Sequence, residues 1–540
     1  MWEGKTSTCV ERHPMPQFPP TDEQHHAVTQ YISGNHVVVE ALAGTGKTST
    51  LQFMAAALPE RKGLYAAFNK AIASEAARRF SGTGVLAKTM HALAFADFGA
   101  PMRHRLESRR PVLWSEKATV LGINDKYVFA SGEGALSGAI SRQQLVRYAT
   151  DTVNAYLHST DEQITVDHVP IPSEIGRLTA AADRRLRETI LGFANRYWAD
   201  LQRTDGTLKY THDAYLKRWA LSRPQLPFDF ILFDEAQDAD PVITSVLLNQ
   251  KSAQIIVVGD RNQAIYGWRG AENAMDAFGG IRTKLTMSFR FGDAIAGSAN
   301  TWLDLLGADP ELRVRGLPGK PSSVWDSQRI PEAVLTRTNG GALNEAVESQ
   351  LSGVSTGIAG ERKAKELRDL AQAASDLQTK KFTRHPDLEA FNTWADVVDY
   401  ALSEDGGDLK PLVDVVERVG ADKVVRVIDS CVPADVARTV VSTTHVSKGL
   451  EWKHVRISDD FRDPGDRQGA PKPILAEEAR LAYVAVTRAI RHLDQRGLEW
   501  LPGYLARGGW VEGNPDGAQT AHVETEGAQR PSETRSGAQQ

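Results

Sequence analysis

Between His36 and Thr48 the chain reads HVVVEALAGTGKT, and this stretch restricts the fold more than any other. An apolar run, a loop of small residues and a Lys-Thr pair predict, in that order, a buried strand over His36 to Glu40, a tight turn, and a helix starting near Lys47. Residues Ala41 to Thr48 fit the pattern G-x-x-x-x-G-K-[ST], with Ala41 in place of the first glycine. Gly44 and Gly46 let the backbone curl, so that N–H groups along Ala43, Gly44, Thr45 and Gly46 converge on an anion at the positive end of a helix. Lys47 then neutralises β- and γ-phosphates, and the Thr48 hydroxyl holds Mg²⁺. Alone, the pattern also fits a glycine-bearing turn with no nucleotide. Two segments further along the chain decide between these readings.

The apolar run Phe228 to Phe233 ends in Asp234-Glu235-Ala236-Gln237-Asp238. A carboxylate pair at the end of a buried strand is costly unless a cation is held there. With Lys47 upstream that cation is Mg²⁺, with Asp234 in its shell and Glu235 orienting or deprotonating the attacking water. An ordinary acidic loop is the weaker reading. A further buried strand, Gln254 to Gly259, leads into Asp260-Arg261-Asn262-Gln263-Ala264-Ile265-Tyr266-Gly267-Trp268-Arg269-Gly270. The Gln263 amide is placed to sense a γ-phosphate. Tyr266, Trp268 and Arg269 interleave aromatic and cationic groups, which suits base stacking and phosphate contact. A Tyr/Trp pair is more often core than ligand platform, but these lie among glycines beyond a strand end, where no packing helix is expected.

Strand–helix alternation from Leu64 to His91 points to a parallel α/β sheet. At about 100–200 residues per domain, 540 residues suggest three or four units. The expected order is a lead-in over 1–20, a first α/β domain over 21–98 and 205–281, and a helical insertion over 99–204. A second α/β domain then spans 282–340 and 438–507, interrupted by a helical insertion over 341–437. The tail, 508–540, repeats GAQ at Gly517, Gly527 and Gly537 and has no aromatic residue after Trp510. It cannot bury enough apolar area to offset ordering entropy and reads as disordered.

Net charge −5 and a pI near 6.3 do not advertise a polyanion partner. Two local segments are basic, Arg103 to Arg110 and Arg177 to Arg223, and a solvated helical face explains them equally well. No apolar run approaches the roughly 20 residues that span a bilayer, so no membrane association is expected. Cys9 and Cys431 make neither a disulfide framework nor a metal cluster, which places the chain in a reducing, intracellular (cytoplasmic) setting.

Taken in order, these segments resemble the motif series of superfamily 1 helicases of the UvrD/PcrA/Rep type, from Thr21 to about Leu493. Within that family the chain is similar to F-box DNA helicase-like proteins, on AFNKAIASEA (Ala67 to Ala76), THDAYLKRWAL (Thr211 to Leu221) and STTHVSKGLEW (Ser442 to Trp452). No F-box is evident in the residues before Gln24. The resemblance implies two RecA-like phosphate-loop domains, each with a helical insertion and with ATP bound between them. It makes Gln24 the adenine-recognising glutamine, Phe289 the aromatic that stacks on the base, and Arg290 and Arg488 the arginines that reach the γ-phosphate. Glu451, beside Gly449, matches the carboxylate near ribose and triphosphate. Phe68, Asn69, Thr89, His91, Tyr266, Trp268, Arg269 and His445 match positions that contact single-stranded DNA.

The implied activity is that of a monomeric, DNA-stimulated ATPase that moves 3′→5′ on single strands and unwinds duplexes at single-strand/double-strand junctions, in replication, recombination or repair. Single-strand-binding or recombinase proteins are the candidate protein partners. Two rivals share the motor residues: a translocase that strips proteins from DNA without productive unwinding, and a nucleotide-gated DNA-binding scaffold with little turnover. The complete Lys47, Asp234, Glu235, Gln263 and Arg488 set argues against the scaffold. An unrelated phosphate-loop ATPase leaves the DNA-facing matches unexplained.

Overall fold

A computed structural model describes residues 19–67, 69–108, 110, 112–130, 137–170, 180–266, 274–325, 329–380, 383, 385, 387–389, 391–402, 409–467 and 470–514. The expected lead-in up to residue 18 and residues 515–540 of the expected disordered tail lie outside the described residues; 508–514 of that tail are instead ordered, with Val511 buried and bridged to Ile474. The chain divides into two compact units. The first comprises Met1–Glu40, Lys47–Arg261 and Tyr266–Thr283; the second comprises Ala41–Gly46, Asn262–Ile265 and Lys284–Gln540.

In the first unit, Thr21 caps α1 (Asp22–Ile32) in a reciprocal capping box with Gln24. Strand β1 (Val37–Ala41) comes next, its β-branched residues suited to a sheet core, and runs through the phosphate loop into α2 (Lys47–Ala57). Strand β2 (Gly63–Ala67) leads to α3 (Lys70–Arg79), capped by the Asn69 side chain, and β3 (Val85–Thr89) to the short α4 (Met90–Ala94), capped by Thr89. A hairpin, β4 (Tyr127–Ala130) with β5 (Ser137–Ile140), lies within the region expected to be mainly helical. Strands β6 (Phe230–Phe233), β7 (Gln254–Gly259) and β8 (Ile281–Leu285) complete a sheet of order β3-β2-β6-β7-β1-β8. Strands β3, β2, β6, β7 and β1 run parallel. Their C-terminal ends therefore share one edge, where α/β sheets bind ligands. The long helices Arg142–Leu157 and Ala180–Gln202 bury Leu145, Tyr156, Leu186 and Ile190 in the same core as Leu64 and Ile231 of the sheet.

The second unit is built on an all-parallel sheet. Strands β9 (Ser323–Val324), β10 (Ala333–Thr336), β11 (Thr356–Ile358), β12 (Thr439–Thr443) and β13 (Trp452–Ile457) belong to it. After a two-stranded ribbon of β14 (Asp466–Arg467) and β15 (Ala470–Pro471), β16 (Ala489–Asp494) completes the order β11-β12-β10-β13-β16-β9. Helices Glu361–Lys380, Trp394–Ala401, Lys410–Val419 and Ala421–Asp429 pack Leu367, Leu370, Val397, Val415 and Val424 into a core continuous with Ile358 and Val441.

Two element placements differ from the sequence reading. The strand starting at Ile281 belongs to the first sheet, whereas residues from 282 onward read as the second α/β domain. Thr356–Ile358, expected inside the helical insertion, pairs with Thr439–Val441 as an edge strand of the second sheet. Both strands are short and pair with segments distant in the chain, which local pattern does not encode. Among the described residues no helix is long and apolar enough to cross a membrane.

Candidate nucleotide site and nucleic-acid edge

The first unit contains the residues expected to hold a cation. Lys47 opens α2 directly after the loop that leaves β1. The Thr48 Oγ1 hydroxyl donates to Asp234 Oδ2 at 3.3 Å, bringing the start of α2 to the end of β6. The Tyr65 hydroxyl, from β2, donates to the same oxygen at 2.6 Å, and the Glu235 backbone N–H donates to Oδ1 at 2.9 Å. Burial, and then the Glu235 charge, push the Asp234 carboxyl up to about 6, against the pull of Tyr65 and Lys47. Burial and the Asp234 charge hold the Tyr65 hydroxyl well above its ordinary range, so it stays a donor.

Glu235 itself has φ +54°, a left-handed conformation rare outside glycine. Gln237 donates from Nε2 to Glu235 Oε2 at 2.5 Å and accepts from the Asp260 N–H at 3.1 Å. A Cβ at residue 259 would lie 2.4 Å from Gln237 Oε1, so Gly259 leaves room for that amide. Strain at Glu235 is thus held in place by its neighbours, as is common at functional sites.

A hydroxyl and one carboxylate, completed by phosphate and water oxygens, is the kind of set that Mg²⁺ takes. Thr48 and Asp234 fit that role, and a divalent cation there would relieve the cost of two adjacent carboxylates. Among the described residues no group of three or more His, Cys, Asp or Glu is placed to hold a metal ion. Gln24 is buried: its Oε1 accepts from the Thr21 N–H at 3.0 Å, and its Nε2 donates to Thr50 Oγ1 of α2 at 3.0 Å.

The second unit holds Ala43, Gly44, Thr45 and Gly46 of the loop. Gly44 has φ +74°, and a Cβ there would lie 2.5 Å from Ser288 Oγ and 2.7 Å from Arg290 Cβ. Its carbonyl accepts from the Phe289 N–H at 2.8 Å, and the Ala43 N–H donates to the Tyr483 hydroxyl at 3.3 Å. Arg290 donates from Nε to Glu451 Oε2 at 2.6 Å and from Nη1 to the Thr487 carbonyl at 2.8 Å. Arg488 is buried, bonded from Nε to the Val484 carbonyl at 2.9 Å and from Nη2 to Thr487 Oγ1 at 3.1 Å and Gln263 Oε1 at 3.4 Å. Lys448 Nζ donates to the Gln263 carbonyl at 2.8 Å. Gly449 is exposed with φ +84°. Glu451 and Arg488 immediately precede β13 and β16, on the N-terminal edge of the sheet. His445 comes after β12 on the opposite edge.

Of the residues matched to DNA contact, Asn69 and Thr89 cap helices at the C-terminal ends of β2 and β3. They lie on the same sheet edge as Lys47 and Asp234. His91, on α4, lies 3.6 Å from Asp213 Oδ1, whose carboxyl is held below its ordinary range, chiefly by His91. Tyr266 is half-buried. Phe68, Trp268 and Arg269 lie outside the described residues. Some of the basic character of the first unit is used internally. Arg105 is buried against Asp200 and the Leu208 carbonyl. Lys217 is buried over the Tyr156 ring, its Nζ bonded to the Ser159 and Asp161 carbonyls, and burial pushes its pKa down to about 8. Sequence reasoning names Gln237 and Tyr483 within motifs but gives them no role, and does not single out Tyr65 or Asp213. Tyr65 looks like an ordinary strand residue.

A family model of the UvrD/REP helicase N-terminal domain matches residues 20–276, and one of the UvrD-like helicase C-terminal domain matches residues 345–493. The chain belongs to the UvrD-like helicase family. It is 30% identical over 520 residues to F-box DNA helicase protein 1 of Schizosaccharomyces pombe, covering 88% of this chain and 57% of that protein. It is 30% identical over 516 residues to F-box DNA helicase 1 of Gallus gallus, covering 87% of this chain and 48% of that one. A shorter match, 36% over 99 residues, is to ATP-dependent DNA helicase PcrA of Leuconostoc citreum, covering 17% of this chain and 13% of that protein. The chain spans about half the length of the two F-box helicases it matches.

Proposed function

We infer that this protein is an ATP-driven motor on single-stranded DNA, with 3′→5′ polarity, which unwinds duplexes at single-strand junctions inside the cell. One observation carries the reading: the Thr48 hydroxyl beside the phosphate loop meets the strand-end carboxylate of Asp234, on the sheet edge where β2 and β3 present Asn69 and Thr89. Nucleotide chemistry and strand contact thus share one rigid element.

Lys47 and the loop amides hold the triphosphate. Mg²⁺ would be held by Thr48 and Asp234 and would neutralise phosphate charge. Glu235, oriented by Gln237, accepts the proton of the attacking water. Arg290 and Arg488 stabilise charge on the transferred phosphoryl group, a contribution of order 10³–10⁵ in rate for an arginine finger. The two sheets, β3-β2-β6-β7-β1-β8 and β11-β12-β10-β13-β16-β9, are the cores of two RecA-like motor domains that work as a monomer. Contacts to phosphates and base faces carry no sequence code, so DNA binding is sequence-independent and weakens with salt.

ATP turnover measured with and without a single-stranded oligonucleotide tests the reading. Stimulation by the strand, abolished by Lys47→Ala, is expected. Turnover indifferent to DNA would contradict it.

A further inference from the structure

Asp234 is gripped by a residue that no phosphate-binding pattern specifies. Tyr65 lies on β2, opposite Leu232 of β6 in the register Gly63↔Phe230 to Ala66↔Phe233, so the strand that ends in Asp234 is its immediate neighbour. Its ring is buried and tilted against Phe80, just beyond α3, at 5.2 Å. Its hydroxyl reaches Asp234 Oδ2 at 2.6 Å, closer than the 3.3 Å from Thr48. The Glu235 N–H, at 2.9 Å, holds the other oxygen. The carboxylate is therefore pinned at both oxygens by groups of the fold itself, and its remaining lone pairs are directed by those bonds. Outer partners of this kind orient a metal ligand and commonly account for about 10–100-fold in metal affinity.

We propose that Tyr65 is a positioning residue for the divalent cation: its hydroxyl fixes the rotamer in which Asp234 faces the Thr48 hydroxyl and the nucleotide phosphates. This rests on the reading of Thr48 and Asp234 as the cation-holding pair. The role differs from that of a catalytic residue, because Tyr65 acts only through Asp234.

The test is Mn²⁺ affinity in the ADP complex, read by electron paramagnetic resonance, for the wild type, Tyr65→Phe, Asp234→Asn and the double variant. Tyr65→Phe keeps the ring against Phe80 and removes only the hydroxyl. The expected result is an affinity loss of about 10–100-fold for Tyr65→Phe, and little further loss when the same change is made on Asp234→Asn. That non-additivity marks action through the carboxylate. An unchanged Mn²⁺ affinity, or an equal loss in both backgrounds, would overturn the proposal. So would a Tyr65→Phe protein that no longer folds, since the hydroxyl would then belong to the fold. Affinity is read without turnover. A wild type that binds Mn²⁺ and ADP but hydrolyses nothing sinks the motor reading and leaves this result standing.

Discussion

Asp460 shows what a single buried carboxylate does to the second unit. It accepts from the Arg337 and Thr338 N–H groups and from the Thr338 hydroxyl, at 2.8–3.0 Å. Burial outweighs these bonds and lifts its pKa from 3.8 to about 6. Between those values the folded state binds the proton more tightly than the unfolded chain does. This group's contribution to stability therefore falls as pH rises from about 4 to about 6, then stays level. Urea melts at intervals across that range check the sign: Asp460→Asn flattens the slope relative to wild type. At this scale the sequence is informative where a residue type is costly anywhere else, as with Lys47 after two glycines or Asp234 after FILF. It is silent about Tyr65, since nothing in GLYAA separates a tyrosine that packs from one that donates. It also misleads about Arg105 and Lys217, whose charges suggest a polyanion yet serve backbone carbonyls and one aspartate.

Among the elements, the phosphate loop combines two demands on one position. Gly44 needs a positive φ and also tolerates no Cβ, given Ser288 Oγ at 2.5 Å and Arg290 Cβ at 2.7 Å. Gly82 has a similar φ of +80° with nothing within 4 Å of its would-be Cβ. Gly82→Ala is then expected to cost only the left-handed strain, about 1–2 kcal/mol. Gly44→Ala adds steric displacement of the 288–290 segment and lowers ATP affinity as well. Thermal melts with and without nucleotide separate the two. A Gly44→Ala protein that matched Gly82→Ala in both would mean the loop yields freely. Helix and strand positions in this region are legible because caps and glycines punctuate them: Thr21, Asn69 and Thr89 each cap the helix that comes next. The hairpin of β4 and β5 is not, since its strands are four residues each within a long helical texture.

For the whole molecule, motif order carries more information than composition. A net charge of −5 gives no sign of a nucleic-acid partner, yet the parallel sheet collects Lys47, Asp234 and the Asn69 and Thr89 caps on one edge. Which strand belongs to which sheet is the least legible feature. Ile281–Leu285 joins the first sheet through a long-range pairing that local pattern does not encode. In the proposed motor, ATP turnover at this edge is converted into movement along a strand. Strand displacement on duplexes with either a 3′ or a 5′ single-stranded tail tests it most directly, with Lys47→Ala as control. ATP-dependent displacement from the 3′-tailed duplex alone, absent in the control, is the predicted result. Displacement from the 5′-tailed duplex, or none from either despite DNA-stimulated turnover, would contradict it; the second result would favour a translocase that clears proteins without unwinding.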